Sequence, residues 1–517
     1  MNVENNLIQI EKLTQTGIRS QALQLIHLLL QSKPKREYLV RLANFSNRNN
    51  SYVLAMRILY PIIKVQNQLS NITPTFLEIN TYATSLIWIG SFNEAEHYLN
   101  QISDFHPSWL TKAFLHLGRW EYKKALPYLK KYIHSPELTN YQRLVGEINL
   151  LSVYVGLRLE HDAIKLFNKL QKNLIENEHH LLLGNSHELI GQLYYFKLAF
   201  TEAEYHLQCA QTLLKDRAYR YRIFVEKWLA ILNLHKNPDS IKAQSGLIFV
   251  RNEASRINHY ETIRDCDFHL ARLTKNYELM RKVYWGSSNR GYKNILMQNY
   301  PLDIDVMKKF NNKIENIIYN PTNIANINYD SKEDGNFSLT NLNNEVNLDM
   351  MNLSSKLTCN KNFWTILNEI TKDIYKPPKI GELFSVLYSN EYFNPFTSPS
   401  RVRNMVKRLN IELKFLFYEP RIQLKNGNLL FSSDNTICIK RPIQLFVHYD
   451  QFLLKVFKQK WGSKRFNVTQ FSNEMKISKP TAKMILKSAE TRKVIRPSGT
   501  TNRQIDYLFY GVKSGSK

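Results

Sequence analysis

The sequence predicts a mostly α-helical protein: an N-terminal solenoid of helix hairpins, then a disordered linker, then two small α+β domains. Three observations carry this. Gly and Pro stand at 17 each in 517 residues, well below average usage of roughly 7% and 5%, and turn-rich barrels or sandwiches need more of both. A unit built around one alanine recurs at 30–40 residues through the first two-fifths of the chain. The charge is lopsided: of a net +26, residues 361–517 hold 28 Lys/Arg against 11 Asp/Glu.

Residues 1–290 come first. The recurring alanines are Ala22, Ala55, Ala95, Ala125, Ala163 and Ala203. Three positions before four of them stands an aromatic ring (Tyr52, Phe92, Tyr122, Phe200). Four positions after each comes a bulky apolar residue: Ile26, Leu59, Leu99, Leu129, Phe167 or Leu207. A small residue is required where two helices approach closely, and the larger neighbours fill the groove beside it. A period of this length marks a helical solenoid.

Two stretches, Ile89-Gly90-Ser91-Phe92-Asn93-Glu94-Ala95 and Trp120-Glu121-Tyr122-Lys123-Lys124-Ala125-Leu126, make this region resemble the tetratricopeptide repeat family. The resemblance covers about residues 10–235, with a helical extension to Gly286. It implies a curved surface for a protein or peptide partner, without chemistry of its own.

The segment 291–360 is rich in asparagine and lacks sustained periodicity. Low apolar density cannot offset the entropy of ordering, so it reads as a flexible linker between separable halves. Asn316-Ile317-Ile318-Tyr319 is expected to form short structure at most.

Residues 361–435 form the first C-terminal unit. A helix around Ile380–Tyr388 precedes Thr397-Ser398-Pro399-Ser400, whose hydroxyls suit a helix N-terminus. The helix Arg401–Phe415 turns Val402, Met405, Leu409 and Leu413 inward. Asn426-Gly427 between alternating apolar residues is a strong hairpin signal. This order resembles the winged helix–turn–helix domains of response regulators and related activators. Residues 436–517 repeat the logic. A helix Leu445–Trp461 leads to a helix capped by Thr469, then to one capped by Ser478 with Ala482, Ile485 and Leu486 inward. Two strands flank a polar loop, Arg496–Arg503. The stretch Val468–Phe509 resembles the winged helix of bacterial repressors.

What these resemblances imply is duplex DNA held by basic helix faces and wings. The candidates for groove contact are Ser400, Arg401, Arg403, Asn404, Lys407 and Arg408, then Lys479, Pro480, Thr481, Lys483 and Lys487. The wing candidates are Lys425 and Asn426, then Arg496, Thr500, Thr501 and Arg503. A basic field concentrated in one segment fits a polyanionic partner. The alternative is a protein-interaction scaffold whose winged helices dock proteins. It has no need of 13 basic against 3 acidic residues in 460–517.

Enzyme signatures are absent: no phosphate loop, no dinucleotide Gly-x-Gly-x-x-Gly and no His-Glu-x-x-His. No enzyme, cofactor or metal is expected, and His179, His180 and His187 read as surface histidines. Cys209, Cys266, Cys359 and Cys438 are too far apart for a zinc knuckle or redox pair. No signal peptide or membrane span is read, so a cytoplasmic protein is expected. Whether it forms a homo-oligomer is left open.

Overall fold

The structure is a computed structural model. It describes residues 3–299 apart from 17, 65–72, 103–104 and 216–218. Beyond these it describes 314–319, 325–330, 338–341, 361–417, 421–432 without 426, 437–442, 457, 460–462, 464–475, 478–491, 494–501 and 504–509.

The first 299 residues form helices in succession. They are α1 (Val3–Thr16), α2 (Arg19–Gln31), α3 (Arg36–Arg48), α4 (Tyr52–Ile63), α5 (Phe76–Ile89), α6 (Phe92–Asn100), α7 (His106–Gly118), α8 (Tyr122–Ile133) and α9 (Asn140–Leu157). Then come α10 (Glu160–Glu176), α11 (His180–Phe196), α12 (Phe200–Leu214), α13 (Tyr219–Lys236), α14 (Ile241–Arg256), α15 (Tyr260–Leu273), α16 (Tyr277–Gly286) and α17 (Arg290–Asn299). The six recurring alanines each stand fourth in the second helix of a pair, in α2, α4, α6, α8, α10 and α12, and all are fully buried. Their bulky partners four residues on are buried too. The aromatic rings open the second helices and pack against the next pair. A Cβ added at Gly118 of α7 would lie 2.8 Å from the Phe92 ring.

One backbone device recurs at the turns. The residue two positions ahead of α4, α6, α8, α10 and α12 is left-handed: Asn50, Gly90, Trp120, Arg158 and Leu198, with φ between 58° and 90°. Only one of these is glycine. The other four accept a conformation that costs a side-chain-bearing residue roughly 1–2 kcal/mol, so packing of the hairpins must hold them there.

The C-terminal region contains α18 (Lys361–Lys372), α19 (Ile380–Leu387), α20 (Ser398–Phe417) and the hairpin β4 (Arg421–Lys425)–β5 (Asn428–Ser432). Lys379 makes a further antiparallel bridge to Asn428. After it come β7 (Phe466–Asn467), α21 (Val468–Glu474), α22 (Lys479–Thr491), β8 (Ile495–Thr501) and β9 (Gln504–Phe509), in a sheet ordered β7-β9-β8. Each unit therefore runs strand residue, helix, helix, hairpin. The helix expected over 445–461 lies outside the described residues except at 457 and 460–461.

One expectation needs correction, and the expected linker is found to carry short strands. Within 291–360 the structure places β1 (Ile314–Tyr319), β2 (Ala325–Asp330) and β3 (Ser338–Asn341), which join β6 (Ile437–Pro442) in an antiparallel sheet ordered β2-β1-β6-β3. In β2 the alternation of Ala325, Ile327 and Tyr329 with Asn326, Asn328 and Asp330 supplies the strand period, and Ile317 of β1 sits opposite both Ile327 and Ile439. Nor are the repeats and the C-terminal region separate halves. Phe363, Ile366, Leu383, Phe384, Val402 and Leu409 share one apolar core with α1–α7.

The junction is tight. A Cβ on Gly381 would lie 2.7 Å from the Ile89 carbonyl oxygen. Phe393 N–H donates to Glu94 Oε2 at 2.9 Å, and Arg57 Nε donates to the Pro395 carbonyl at 3.0 Å. At the far end of the solenoid, Ile374 N–H donates to the Gly286 carbonyl at 2.9 Å, and Tyr375 hydroxyl donates to Asp267 at 2.8 Å. The segment 374–396 thus ties both ends of the helical array together.

Candidate nucleic-acid interface

In the first unit α20 begins one turn earlier than the hydroxyl pattern suggests. Arg401 N–H donates to the Thr397 carbonyl at 3.0 Å, and the buried Ser398 hydroxyl accepts from Asn394 N–H at 2.8 Å. Val402, Val406, Leu409 and Leu413 are buried, while Met405 is half-buried. Ser400, Arg403, Asn404, Lys407 and Arg408 are exposed on the opposite side.

Arg401 departs from its expected role. Its Nη2 donates to Glu391 at 2.9 Å, and its guanidinium lies 3.9 Å from the Tyr388 ring centre. The hydrogen bond to Glu391 raises its pKa further. A guanidinium already clamped on a carboxylate and a ring would have to leave both to reach a base, so Arg401 reads as a brace within the unit.

The Asn-Gly hairpin forms as its sequence predicts. Gly427 has φ +80° and Lys425 pairs with Asn428 across a two-residue loop. The wing is locked to α20 by Asn410, whose Nδ2 donates to the Ile422 carbonyl at 2.9 Å while Ile422 N–H donates to its Oδ1 at 2.7 Å. The side chains of Lys425 and Asn426 lie outside the described residues. Between α20 and the hairpin runs a groove of about 380 Å³ with Val402, Leu424 and Leu429 beneath and Arg403, Lys407, Lys414 and Arg421 at its rim. Lys414 and Arg421 were missing from the sequence candidates, although Lys414 follows Lys407 by seven residues, two helical turns on one face.

In the second unit the cap of α21 is Asn467, not Thr469. Asn467 and Gln470 satisfy each other's backbone N–H groups at 3.0 and 2.9 Å. Asn caps as well as Thr does, and the reciprocal Gln settles the register. Ser478 does precede α22, its carbonyl accepting from Ala482 N–H at 2.9 Å. Ala482, Ile485 and Leu486 are buried. Lys479, Pro480, Lys483 and Lys487 are exposed, and Thr481 sits on the same helix with its side chain outside the described residues.

The polar loop expected over 496–503 is mostly strand. β8 runs to Thr501, with a register shift between Pro497 and Gly499. Gly499 takes φ +142°, which lets the edge kink without a break in pairing. Arg496 and Thr500 are therefore exposed strand residues, Thr501 ends the strand, and Arg503 lies outside the described residues.

Among the described residues no group of three or more His, Cys, Asp and Glu could hold a metal ion. His187 is not a surface histidine: it is buried against His206 at 3.0 Å, and burial lowers its pKa to about 4. Among the same residues no helix is long and apolar enough to cross a membrane.

No family model matches the chain, and no curated protein matches it significantly. Among solved structures 23 chains match. One is the crystal structure of Rap protein complexed with competence and sporulation factor, at 12% identity and TM-score 0.41, covering 59% of this chain and 89% of that chain. The N-terminal region of the present chain is a helical repeat array, and among the described residues the small sheets lie in its C-terminal half.

Proposed function

We propose that the protein is a non-enzymatic transcriptional regulator. Both C-terminal units are winged helices that bind duplex DNA, and the helical repeats take a protein or peptide partner. The observation that carries this reading is the twofold recurrence of strand residue, helix, helix and hairpin, each time with cations exposed on the second helix. In the first unit these are Arg403, Lys407 and Arg408; in the second, Lys479, Lys483 and Lys487. Such faces lie along phosphates, while a few side chains at the helix start reach base edges in the major groove. The concentration of net charge in 361–517 supplies the long-range attraction.

The test is a titration of the full chain on specific and scrambled duplexes at several salt concentrations. Lys487→Ala and Arg496→Ala should weaken binding about equally on every sequence and lower the salt slope by about one unit. Lys483→Ala should cost about 1–3 kcal/mol on the preferred site alone. Wild-type affinity and salt slope in all three variants would remove the second unit from the interface.

A second reading, a scaffold that docks proteins, is favoured by one surface. Ile241, Ile248 and Phe249 line one face of α14 and are all exposed. If the full chain shows no salt-dependent duplex binding at all, that reading takes over.

A further inference from the structure

A cavity of about 400 Å³ lies between the solenoid and the first C-terminal unit. Its solenoid wall is strongly aromatic, with Trp88, Phe92, Phe114, Trp120 and Tyr260. The volume suits a small ligand, and apolar walls with a few converging polar groups are what such sites use.

Three cations line this space. Arg264 is almost fully buried and its guanidinium lies 4.6 Å from the Trp120 ring centre. Its Nη2 donates to Asp265 at 3.1 Å, yet its Nε is buried with no hydrogen-bond partner. From the other wall come Lys379, 5.6 Å from the Trp88 ring, and Lys376, 5.7 Å from the Phe92 ring. Burial lowers the Lys379 pKa, Glu382 opposes that, and Lys376 adds to it. Two carboxylates also line the space, Glu261 and Glu382. Desolvation and the nearby Asp265 raise the Glu261 pKa, and its carboxylate lies 3.8 Å from Arg264 Nη2.

We propose that this cavity binds a small planar aromatic carboxylate, its ring between the aromatic faces and its carboxylate among the three cations that line the space, Arg264, Lys376 and Lys379. Lys376 and Lys379 hold the anion electrostatically from the opposite wall. Because those lysines belong to the C-terminal unit and Arg264 to the solenoid, the bound molecule bridges the two. The site stands whether or not the C-terminal units bind DNA.

The test uses the full chain and titration calorimetry with indole-3-acetate and 2-naphthoate, each beside its neutral amide. At least one acid should bind more tightly than its amide by about tenfold, the worth of one charge-assisted contact. Ser152→Trp, which fills the cavity from α9, should abolish binding of that acid. Should that variant fail to fold, the double substitution Lys376→Gln with Lys379→Gln is read instead, and it should weaken the acid several-fold while leaving the amide unchanged. The proposal is overturned if neither acid binds better than its amide. It is equally overturned if a folded Ser152→Trp, or the double substitution, retains the parent affinity for the acid.

Discussion

The middle repeats and the last third of the solenoid are built from the same hairpin but hold together differently. Between α7 and α10 the core is chiefly apolar, with Ala113, Ala125, Leu129, Leu151, Phe167 and Leu170 all buried, and the buried Glu147 is paired at 2.7 Å with an exposed lysine, Lys169. From α13 onward ion pairs with both members buried enter. Lys227 donates to Asp265 at 2.7 Å with both side chains about 95% covered, and Asp265 also receives Tyr292 at 2.6 Å. Asp267 gathers Arg251, Lys282 at 3.5 Å and Tyr375. An apolar layer accepts any neighbour of the right volume, whereas a buried charge accepts only its partner. The ionic third receives the C-terminal segment through Tyr375, apart from the apolar core that the segment shares with α1–α7, and there a specific partner is what the joint requires.

The sharpest way to break this contrast is to remove one ion. Lys227→Met leaves Asp265 facing a single buried arginine and should cost about 3–5 kcal/mol, read as a fall in the denaturation midpoint of the full chain. In the apolar repeats, Ala125→Leu should cost less, about 1–3 kcal/mol through overpacking. A larger loss from Ala125→Leu than from Lys227→Met would dissolve the distinction.

Titration sharpens it further. Burial raises the Glu188 carboxyl to about 7, with Lys227 and Gln192 pulling the other way. Its protonated form is favoured by the fold, so its contribution is complete below its ordinary value of about 4.5 and declines as pH rises through about 7. Relative to Glu188→Gln, the wild type should lose on the order of 3 kcal/mol across that window, at about 1.4 kcal/mol per unit. His187 behaves in the reverse sense. Its folded value is depressed to about 4, so stability is present above about 6.5 and is lost as pH falls toward 4. Melting curves of wild type, Glu188→Gln and His187→Gln between pH 4 and 8 check both slopes.

The smallest effect concerns the turns. Lys275 is exposed and left-handed, φ 56°, two residues before α16. Lys275→Gly should raise stability by up to about 1 kcal/mol, the relief of strain being partly offset by glycine's greater freedom when unfolded. A destabilised variant would mean that the lysine makes a contact worth more than the strain.

The repeat register was fully legible because one small residue per hairpin is a geometric necessity, and Ala22 to Ala203 mark it without ambiguity. The Asn426-Gly427 hairpin was legible for the same reason: few residues tolerate that turn. The junction was not. Gly90 and Gly381 meet across 291 positions, and no local period signals a contact of that range. Charges were equally silent. Arg264, Asp265 and Asp267 look like any polar helix face until α13, α16 and Tyr375 are placed around them. In the candidate interface the exposure of the α22 lysines follows from spacing alone, whereas the clamp on Arg401 needed Glu391 and Tyr388 in space.

The left-handed residue ahead of α4, α6, α8, α10 and α12 has a consequence for tolerance to insertion. Turns within the first six pairs hold two or three residues, as between Ile89 and Phe92 or Arg48 and Tyr52. Connections between pairs range from three residues, between Glu176 and His180, to twelve, between Ile63 and Phe76. Each hairpin is thus a cassette with a fixed turn, and length variation is taken up by the spacers and by the helices themselves. The alanine period accordingly wanders from 30 to 40, from a 13-residue α7 to a 17-residue α11, while every alanine keeps its place in its helix. A tag or extra segment placed between Ile63 and Phe76 would lengthen a spacer, while the same addition at Gly90 or Trp120 would dismantle a cassette.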